Sequence, residues 1–319
     1  MDLSIIVVAY NVKDLVRECL SKVAASSDIL GKEVLYVDNG STDGTVEMLR
    51  ADFSDVIVIC NQKNLGFGRA NNIGFEKARG EFILMLNADA FIGPGTLQKT
   101  VGFMKDHPEA GILGCRLISP DGKLQPSARL FQNPWRDLMV RLDWGKKFPG
   151  NSFFKGIDDL ERDHRSIRET DWVPGCFLMA RKKMIEELGF FLRKDFFMYY
   201  EDLDLCLRAK RKGWKVYFFP EDVVHLGGAS SGRFHKTTST GRQVIGYEIE
   251  SRLLYYRKNY NILFVMASFF SALLFLFLKS AKRLFVPAKN ASLSEGMEEL
   301  RTSFDLLIKT RFGSFPLPH

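Results

Sequence analysis

Over its first hundred residues the chain alternates short apolar runs with segments whose apolar residues recur every three or four positions, and few folds accept that pattern. Leu3 to Ala9 is apolar apart from Ser4, and Val12, Leu15, Val16, Cys19, Leu20 and Val23 follow at helical spacing. The alternation continues with Glu33 to Asp38, a helix opening at Ser41-Thr42-Asp43, Val56 to Cys60, a helix across Ala70 to Ala78, and Glu81 to Leu86. Strands apolar along their whole length are buried on both faces. The predicted class is therefore α/β, a mostly parallel sheet with helices on both faces. Farther on, the pattern predicts a helix over Thr96 to Lys105, strands over Ile112 to Ile118 and Val173 to Ala180, a helix over Glu201 to Lys212 and a strand over Lys215 to Phe219. With 319 residues, the chain is long enough to bury such a core.

Ligands of open parallel sheets bind beyond the carboxyl ends of the strands, so the polar residues after each apolar run are the first candidates. These are Tyr10-Asn11, Asp38-Asn39-Gly40, Asn61 and Asn87-Ala88-Asp89. Asn61 reads as a helix cap, and Asp43 as a helix-start residue whose charge complements the helix dipole. Asp38, at a strand tip, can accept hydrogen bonds from a nucleobase or ribose. Asp89 should emerge from a buried strand onto a turn ahead of Gly93-Pro94-Gly95, a suitable position for holding a hard cation. Magnesium and manganese prefer oxygen ligands, take one or two from protein and complete their shell with substrate phosphates.

The stretch Asn64-Leu65-Gly66-Phe67-Gly68-Arg69-Ala70-Asn71-Asn72 has the look of a dinucleotide fingerprint, but Asn71 occupies the third glycine position and the segment follows the third strand. That excludes an NAD site and leaves a glycine-rich approach to a helix, with Arg69 reaching toward base or phosphate. Glu201-Asp202-Leu203-Asp204 opens a helix, where acids suit the dipole. The preceding Phe196-Phe197-Met198-Tyr199-Tyr200 would keep those carboxylates partly dry, which raises a carboxyl pKa and favours a general base. His225 ends the strand-like stretch Val216 to Val224, interrupted at Pro220, and can ligate a metal. The glycine-rich loop after it carries Arg233, His235 and Lys236, which can close over a diphosphate. Ser127 to Asp171 is basic, aromatic and irregular, as expected of an acceptor-facing loop or lid.

Collectively, Ser4-Ile5-Ile6-Val7-Val8-Ala9-Tyr10-Asn11, Val37-Asp38-Asn39-Gly40-Ser41-Thr42-Asp43-Gly44, Asn64 to Gly68 with Asn72-Ile73-Gly74, and Leu86-Asn87-Ala88-Asp89 resemble the family 2 inverting glycosyltransferases in order and spacing. The resemblance extends through Val173-Pro174-Gly175-Cys176, Tyr200 to Asp204 and His225 to Ser230, covering roughly residues 1 to 250. It implies a GT-A fold and a divalent cofactor, Mg2+ or Mn2+, held by Asp89 and His225 against the diphosphate of a nucleotide-sugar donor. Asp202 would be the catalytic base. Ala9, Tyr10, Asn11, Asp38, Gly66, Arg69, Asn72, Asn87, Gly175, Glu201 and Arg233 would line the substrate site. Asn87 stands where many relatives carry an acid, leaving Asp89 as the single expected metal carboxylate. Within the family the pattern is most similar to bacterial rhamnosyltransferases of cell-surface polysaccharide assembly. That suggests dTDP-rhamnose as donor, UDP-sugars as second choice, and a glycan or polyprenyl-linked acceptor. The competing expectation is a non-catalytic, membrane-associated protein that binds nucleotide sugars or scaffolds polysaccharide assembly.

The expected boundary divides a catalytic domain, residues 1–250, from a helical tail, residues 251–319. Residues 252–319 carry 10 Lys and Arg against 4 Asp and Glu, whereas the rest is nearly balanced, 35 against 34. Because the basic excess brackets a charge-free apolar run, Ile262 to Leu278, it points to a membrane surface and not to nucleic acid. As a helix those seventeen residues extend ~26 Å, short of a ~30 Å hydrocarbon core. With basic residues on both sides, an interfacial or re-entrant helix is expected in preference to a span. Leu293, Met297, Leu300, Phe304 and Leu307 add a second apolar stripe. The expected place is the cytoplasmic face of the plasma membrane, since the N-terminus lacks a signal peptide's charged and apolar regions. The five scattered cysteines read as reduced core residues, not as a disulfide framework or zinc site.

Overall fold

The computed structural model describes residues 1–26, 31–148, 150–154, 156–158, 164–227, 239–285 and 291–319. Among the described residues ten strands form one mixed sheet: β1 (Leu3–Ala9), β2 (Lys32–Asp38), β3 (Val56–Cys60), β4 (Phe82–Asn87), β5 (Ala90–Ile92), β6 (Ala110–Ile118), β7 (Leu124–Gln125), β8 (Arg168–Glu169), β9 (Phe177–Arg181) and β10 (Lys215–His225). Their order is β3-β2-β1-β4-β9-β6-β10-β5, with β7 paired to β6 and β8 to β10. The helices are α1 (Lys13–Ala25), α2 (Thr45–Asp52), α3 (Phe67–Lys77), α4 (Thr96–Asp106), α5 (Pro134–Leu142), α6 (Trp144–Lys147), α7 (Lys182–Leu188), α8 (Glu201–Arg211), α9 (Ser239–Asn259), α10 (Ile262–Phe285) and α11 (Ala291–Lys309).

The N-terminal alternation builds the parallel half of this sheet, β3-β2-β1-β4. Leu3, Ile5 and Val7 share one buried cluster with Val16, Cys19 and Leu20 of α1, whereas Ile6 belongs to the opposite cluster with Ala70 of α3. Both faces of β1 are thus dry, which is why its sequence does not alternate. β9 enters antiparallel between β4 and β6, while β6 and β10 run parallel. Only the N-terminal half is therefore purely parallel. β9 begins at Phe177, four residues later than the apolar run suggests, because Val173 to Cys176 form the turn that leads into it. Pro220 does not end a strand. It lies in a bulge of β10, between Phe219 and Asp222, where a missing amide hydrogen leaves the ladder intact.

Four cysteines are buried free thiols, but Cys60 is exposed, because β3 is the open edge of the sheet. The segment 127–171 also departs from the irregular loop expected of it. Asn133 accepts the amide hydrogen of Arg136 at 2.9 Å and Pro134 occupies the first turn, so α5 begins at a capped, proline-started end.

The expected division at residue 250 falls inside α9. Ile249, Leu253, Leu254, Tyr255 and Tyr256 on that helix join the cluster containing Ile6, Leu203 and Cys206, along with Val265 and Leu307 from the two helices that follow. Described residues on both sides of that boundary therefore pack into one core with the sheet. Among the described residues no helix is long and apolar enough to cross a membrane. Leu307 is buried against the core, which removes it from the expected surface stripe, whereas Met297 and Phe304 are exposed.

Candidate active site

The carboxyl end of β4 delivers Asp89 fully buried, and β5 then pairs antiparallel with β10 so that His225 faces Ala90. The Leu226 amide donates to the Asp89 carbonyl at 3.0 Å, locking the two segments together. His225 Nε2 consequently lies 3.7 Å from Asp89 Oδ1. On its other side His225 Nδ1 is 2.8 Å from Gln125 Oε1, while Gln125 Nε2 donates to the His225 carbonyl at 2.8 Å. A carbonyl only accepts, so the Gln125 amide orientation is set, and its oxygen requires the proton on Nδ1. The Nε2 lone pair is left facing Asp89. Burial lowers the His225 pKa against partial opposition from the Asp89 charge, which favours the neutral, ligating ring.

Two ligands each ~2.1 Å from one ion lie no more than ~4.2 Å apart, so this oxygen and nitrogen fit a shared divalent cation. Nearby Cys19 and Cys176 do not supply thiolates. Burial and then the Asp89 charge push the Cys19 thiol up to about 12, and Cys176 is raised by the same causes. Among the described residues no group of three or more His, Cys, Asp or Glu side chains is placed to hold a metal. A cation here would take Asp89 and His225 from protein and its other ligands from substrate. Gln125 carries no recognisable signal in the sequence, yet it fixes the ring. Gln125→Ala is expected to weaken Mn2+ affinity ~10- to 100-fold, the usual effect of losing a partner of a metal ligand, as measured by metal titration of the full chain.

The other candidate centre starts α8. Tyr199 and Tyr200 are consecutive left-handed residues, φ 71° and 68°, which for non-glycine residues costs roughly 1–3 kcal/mol each. This strained turn is pinned by the Tyr200 hydroxyl donating to Gln132 Oε1 at 2.5 Å. Behind it, fully buried Asp204 accepts from Arg193 Nε at 2.8 Å, Arg208 Nε at 2.7 Å and Asn259 Nδ2 at 2.8 Å, tying α8 to α9. Asp202, half-buried, accepts from the Gly175 amide at 2.8 Å through Oδ2 and from the Leu203 amide at 2.8 Å through Oδ1. The next residue, Cys176, accepts the Asn87 amide at 3.0 Å. A short backbone path, 87 to 176 to 175, therefore links the strand tip before Asp89 to the Asp202 carboxylate.

Burial raises the Asp202 pKa despite the two amide bonds and the Arg129 charge. For Glu201, burial and then the Asp202 charge raise it to about 8. Because the folded-state value exceeds the ordinary one of about 4.5, Glu201 stabilises fully at acid pH and that contribution is lost as pH climbs toward 8. Glu201→Gln should therefore gain stability relative to wild type as pH rises from 5 to 8. A gain in Tm of at least ~2–4 °C is expected across that range, the shift ~1 kcal/mol produces in domains of 150–250 residues.

The remaining candidates surround the ends of β1 and β2. Tyr10 is exposed just beyond buried Ala9, and Asn11, at φ 53°, accepts the Thr42 amide at 2.8 Å. Asp38 Oδ2 accepts the Gly40 and Ser41 amides at 2.9 and 2.8 Å, and its Oδ1 lies 3.3 Å from the Tyr36 hydroxyl, so it shapes its own turn. Asp43 accepts the Thr45 hydroxyl and the amides of Lys13 and Thr45, and against burial, which raises it, these bonds hold its carboxyl below the usual range. Asn61 bonds Asn39 at 2.9 Å instead of capping a helix. Gly66, at φ 83°, is obligatory, since a β-carbon would sit 2.4 Å from the Phe197 carbonyl. Arg69 Nε is turned to the Lys194 carbonyl at 2.9 Å, and Asn72 spends both polar groups on the Leu192 backbone, at 2.8 and 2.9 Å. These two residues dock the segment before α8, a positioning task where substrate contact was expected. Arg233 lies outside the described residues, as do His235 and Lys236.

Residues 4–189 match the family model Glycosyl transferase family 2. The chain belongs to this family. Over 221 residues, 66% of this chain and 68% of the relative, it is 31% identical to the N-acetylglucosaminyl-diphospho-decaprenol L-rhamnosyltransferase of Mycobacterium tuberculosis. Its fold is shared with TarS from S. aureus, TM-score 0.54 at 14% identity over 98% of this chain and 92% of that one. It is shared too with a mannosyltransferase from Pyrobaculum calidifontis solved with GDP-Man and Mn2+, TM-score 0.52 at 16% identity over 97% and 74%. The family match stops before Asp202 and His225, so the completion of the site by β10 and α8 is a matter of tertiary structure.

Proposed function

We propose that this family 2 glycosyltransferase moves a sugar, with inversion, from a nucleotide-sugar donor to a hydroxyl of a lipid-linked or polysaccharide acceptor. The observation that carries this reading is the fixed link between the Asp89–His225 pair and the Asp202 carboxylate through Asn87, Cys176 and Gly175. A divalent cation bound by Asp89 and His225 would neutralise charge on the leaving diphosphate. Asp202 removes the proton from the acceptor hydroxyl as that oxygen bonds to the anomeric carbon, and the nucleoside diphosphate departs with the electrons of the broken bond. The Gly175 and Leu203 amides aim the carboxylate, and the raised pKa makes it a stronger base than an exposed aspartate. Asp38, Tyr10 and Asn11 shape the nucleoside end, with Gly66, Asn87, Gly175 and Glu201 along the walls.

The preferred donor is dTDP-rhamnose, and the acceptor a glycan on a polyprenyl carrier at the cytoplasmic face of the plasma membrane. The mycobacterial relative, named as an L-rhamnosyltransferase acting on a diphospho-decaprenol sugar, supports rhamnose as the sugar and a polyprenyl carrier on the acceptor. Exposed Leu263, Phe270 and Phe277 on α10 support a membrane surface as a further partner. A panel of nucleotide sugars tests the reading through thermal stabilisation with Mn2+ and through nucleoside diphosphate release on adding polyprenyl-linked glycans. Stabilisation by dTDP-rhamnose above UDP- and GDP-sugars is expected. Release from no donor with any acceptor would leave the non-catalytic alternative in its place.

A further inference from the structure

Between α5 and α10 runs a groove of about 820 Å3, within the ~300–1,000 Å3 range of small-molecule sites. Trp135 and Leu138 on one side and Phe264, Phe270 and Leu274 on the other give it apolar walls. Among the described residues that line it, Arg136 is the one that carries charge. Gln132, which takes the Tyr200 hydroxyl two residues before Asp202, also lines it, so the groove leads to the start of the catalytic helix. At its other side it shares Phe270 and Leu274, both exposed, with the apolar face of α10 that continues to Phe277, 69% exposed.

We infer that this groove holds the isoprenoid chain of a prenyl diphosphate-linked acceptor, with Arg136 beside the diphosphate and the sugar hydroxyl directed to Asp202. The inference rests on the lipid-linked acceptor reading above. Arg136 Nη1 donates to the Phe131 carbonyl at 2.5 Å, which puts the cation next to Gln132 at the end nearer Asp202, and three features select this occupant. The walls match a hydrocarbon chain, the lone cation matches the anion that follows such a chain, and the route from open apolar face to base follows the order chain, diphosphate, sugar. Burial of its hydrocarbon makes the chain a substantial part of acceptor affinity.

Titration of the full chain with farnesyl diphosphate, without vesicles and below its micelle concentration, tests the inference, with inorganic diphosphate as comparison. Saturable binding of farnesyl diphosphate is expected, at least tenfold tighter than inorganic diphosphate. Leu274→Gln and Phe270→Gln, each at an exposed position that tolerates a polar side chain, should each weaken it at least tenfold while keeping the wild-type Tm. Leu263→Gln, on the same helix outside the groove, should not. Equal binding of the two diphosphates, unchanged binding by both groove variants, or equal weakening by Leu263→Gln would overturn it, as would a dimer that the groove substitutions dissociate and farnesyl diphosphate does not. Sugar transfer separates this proposal from the reading beneath it. Groove binding without transfer to any prenyl-linked sugar defeats the acceptor reading alone, whereas transfer with an unchanged KM in both groove variants defeats the groove alone.

Discussion

Asp202→Asn should transfer sugar ~10²- to 10⁴-fold more slowly than wild type, the usual contribution of a positioned general base, with little change in donor KM. The amide is nearly isosteric but has one acceptor oxygen where the carboxylate has two, so it keeps the bond from either the Gly175 or the Leu203 amide and loses the other, and an unchanged Tm is the check that the start of α8 stays in place. What it cannot do is take the acceptor's proton. The pH dependence adds a second readout. Burial raises the Asp202 pKa, and only the deprotonated form is a base, so the wild-type rate should rise with pH along a limb displaced above the ordinary carboxylate range. Asp202→Asn should lack that limb. A variant with full transfer rates, or a wild type whose rate falls over the same interval, would remove Asp202 from the role of base.

Asp89→Asn is expected to reduce transfer at least ~10²-fold, since charge neutralisation by a bound metal is worth several kcal/mol and 1.4 kcal/mol is a factor of ten. It should also abolish the Mn2+-dependent part of the thermal stabilisation that a nucleotide donor confers. That stabilisation grows as RT ln(1 + [L]/Kd), so it reports cation binding without any turnover. The fit of the site to a cation rests on the buried Asp89 carboxylate, the Nε2 lone pair that Gln125 directs toward it, and the 3.7 Å between them. His225→Ala should weaken the Mn2+ response less than Asp89→Asn, because an aspartate supplies charge as well as a ligand atom. Persistence of the full Mn2+ response in Asp89→Asn would place the cation elsewhere.

Much of the catalytic half was legible from the residues alone. Apolar runs without alternation, separated by segments of helical spacing, state which faces of each element are dry, and that information is local. It located β1 to β4, the helices between them, and the strand-tip residues Tyr10, Asn11, Asp38, Asn87 and Asp89. The left-handed turn at Tyr199 and Tyr200 carries no such signature, because the strain is imposed by what surrounds it.

The tail shows the same limit. Seventeen charge-free residues look alike whether they meet lipid or protein, and only packing places Val265 in the core and leaves Leu263 outside. Asn133-Pro134 opens a helix where an irregular loop was expected, and the partner of that helix across the groove lies more than a hundred residues away on α10.

By itself, then, the sequence determined the α/β class, the order of the first strands and the chemistry offered at their tips, since periodicity and charge are properties of neighbours along the chain. Tertiary structure alone decided that Gln125 orients His225 across 100 residues, that Gly175 holds Asp202, that Arg69 and Asn72 serve as docking residues, and that α5 and α10 enclose a groove. Those relations depend on which distant strands and helices pair, and local patterns record that an element is buried without recording against what.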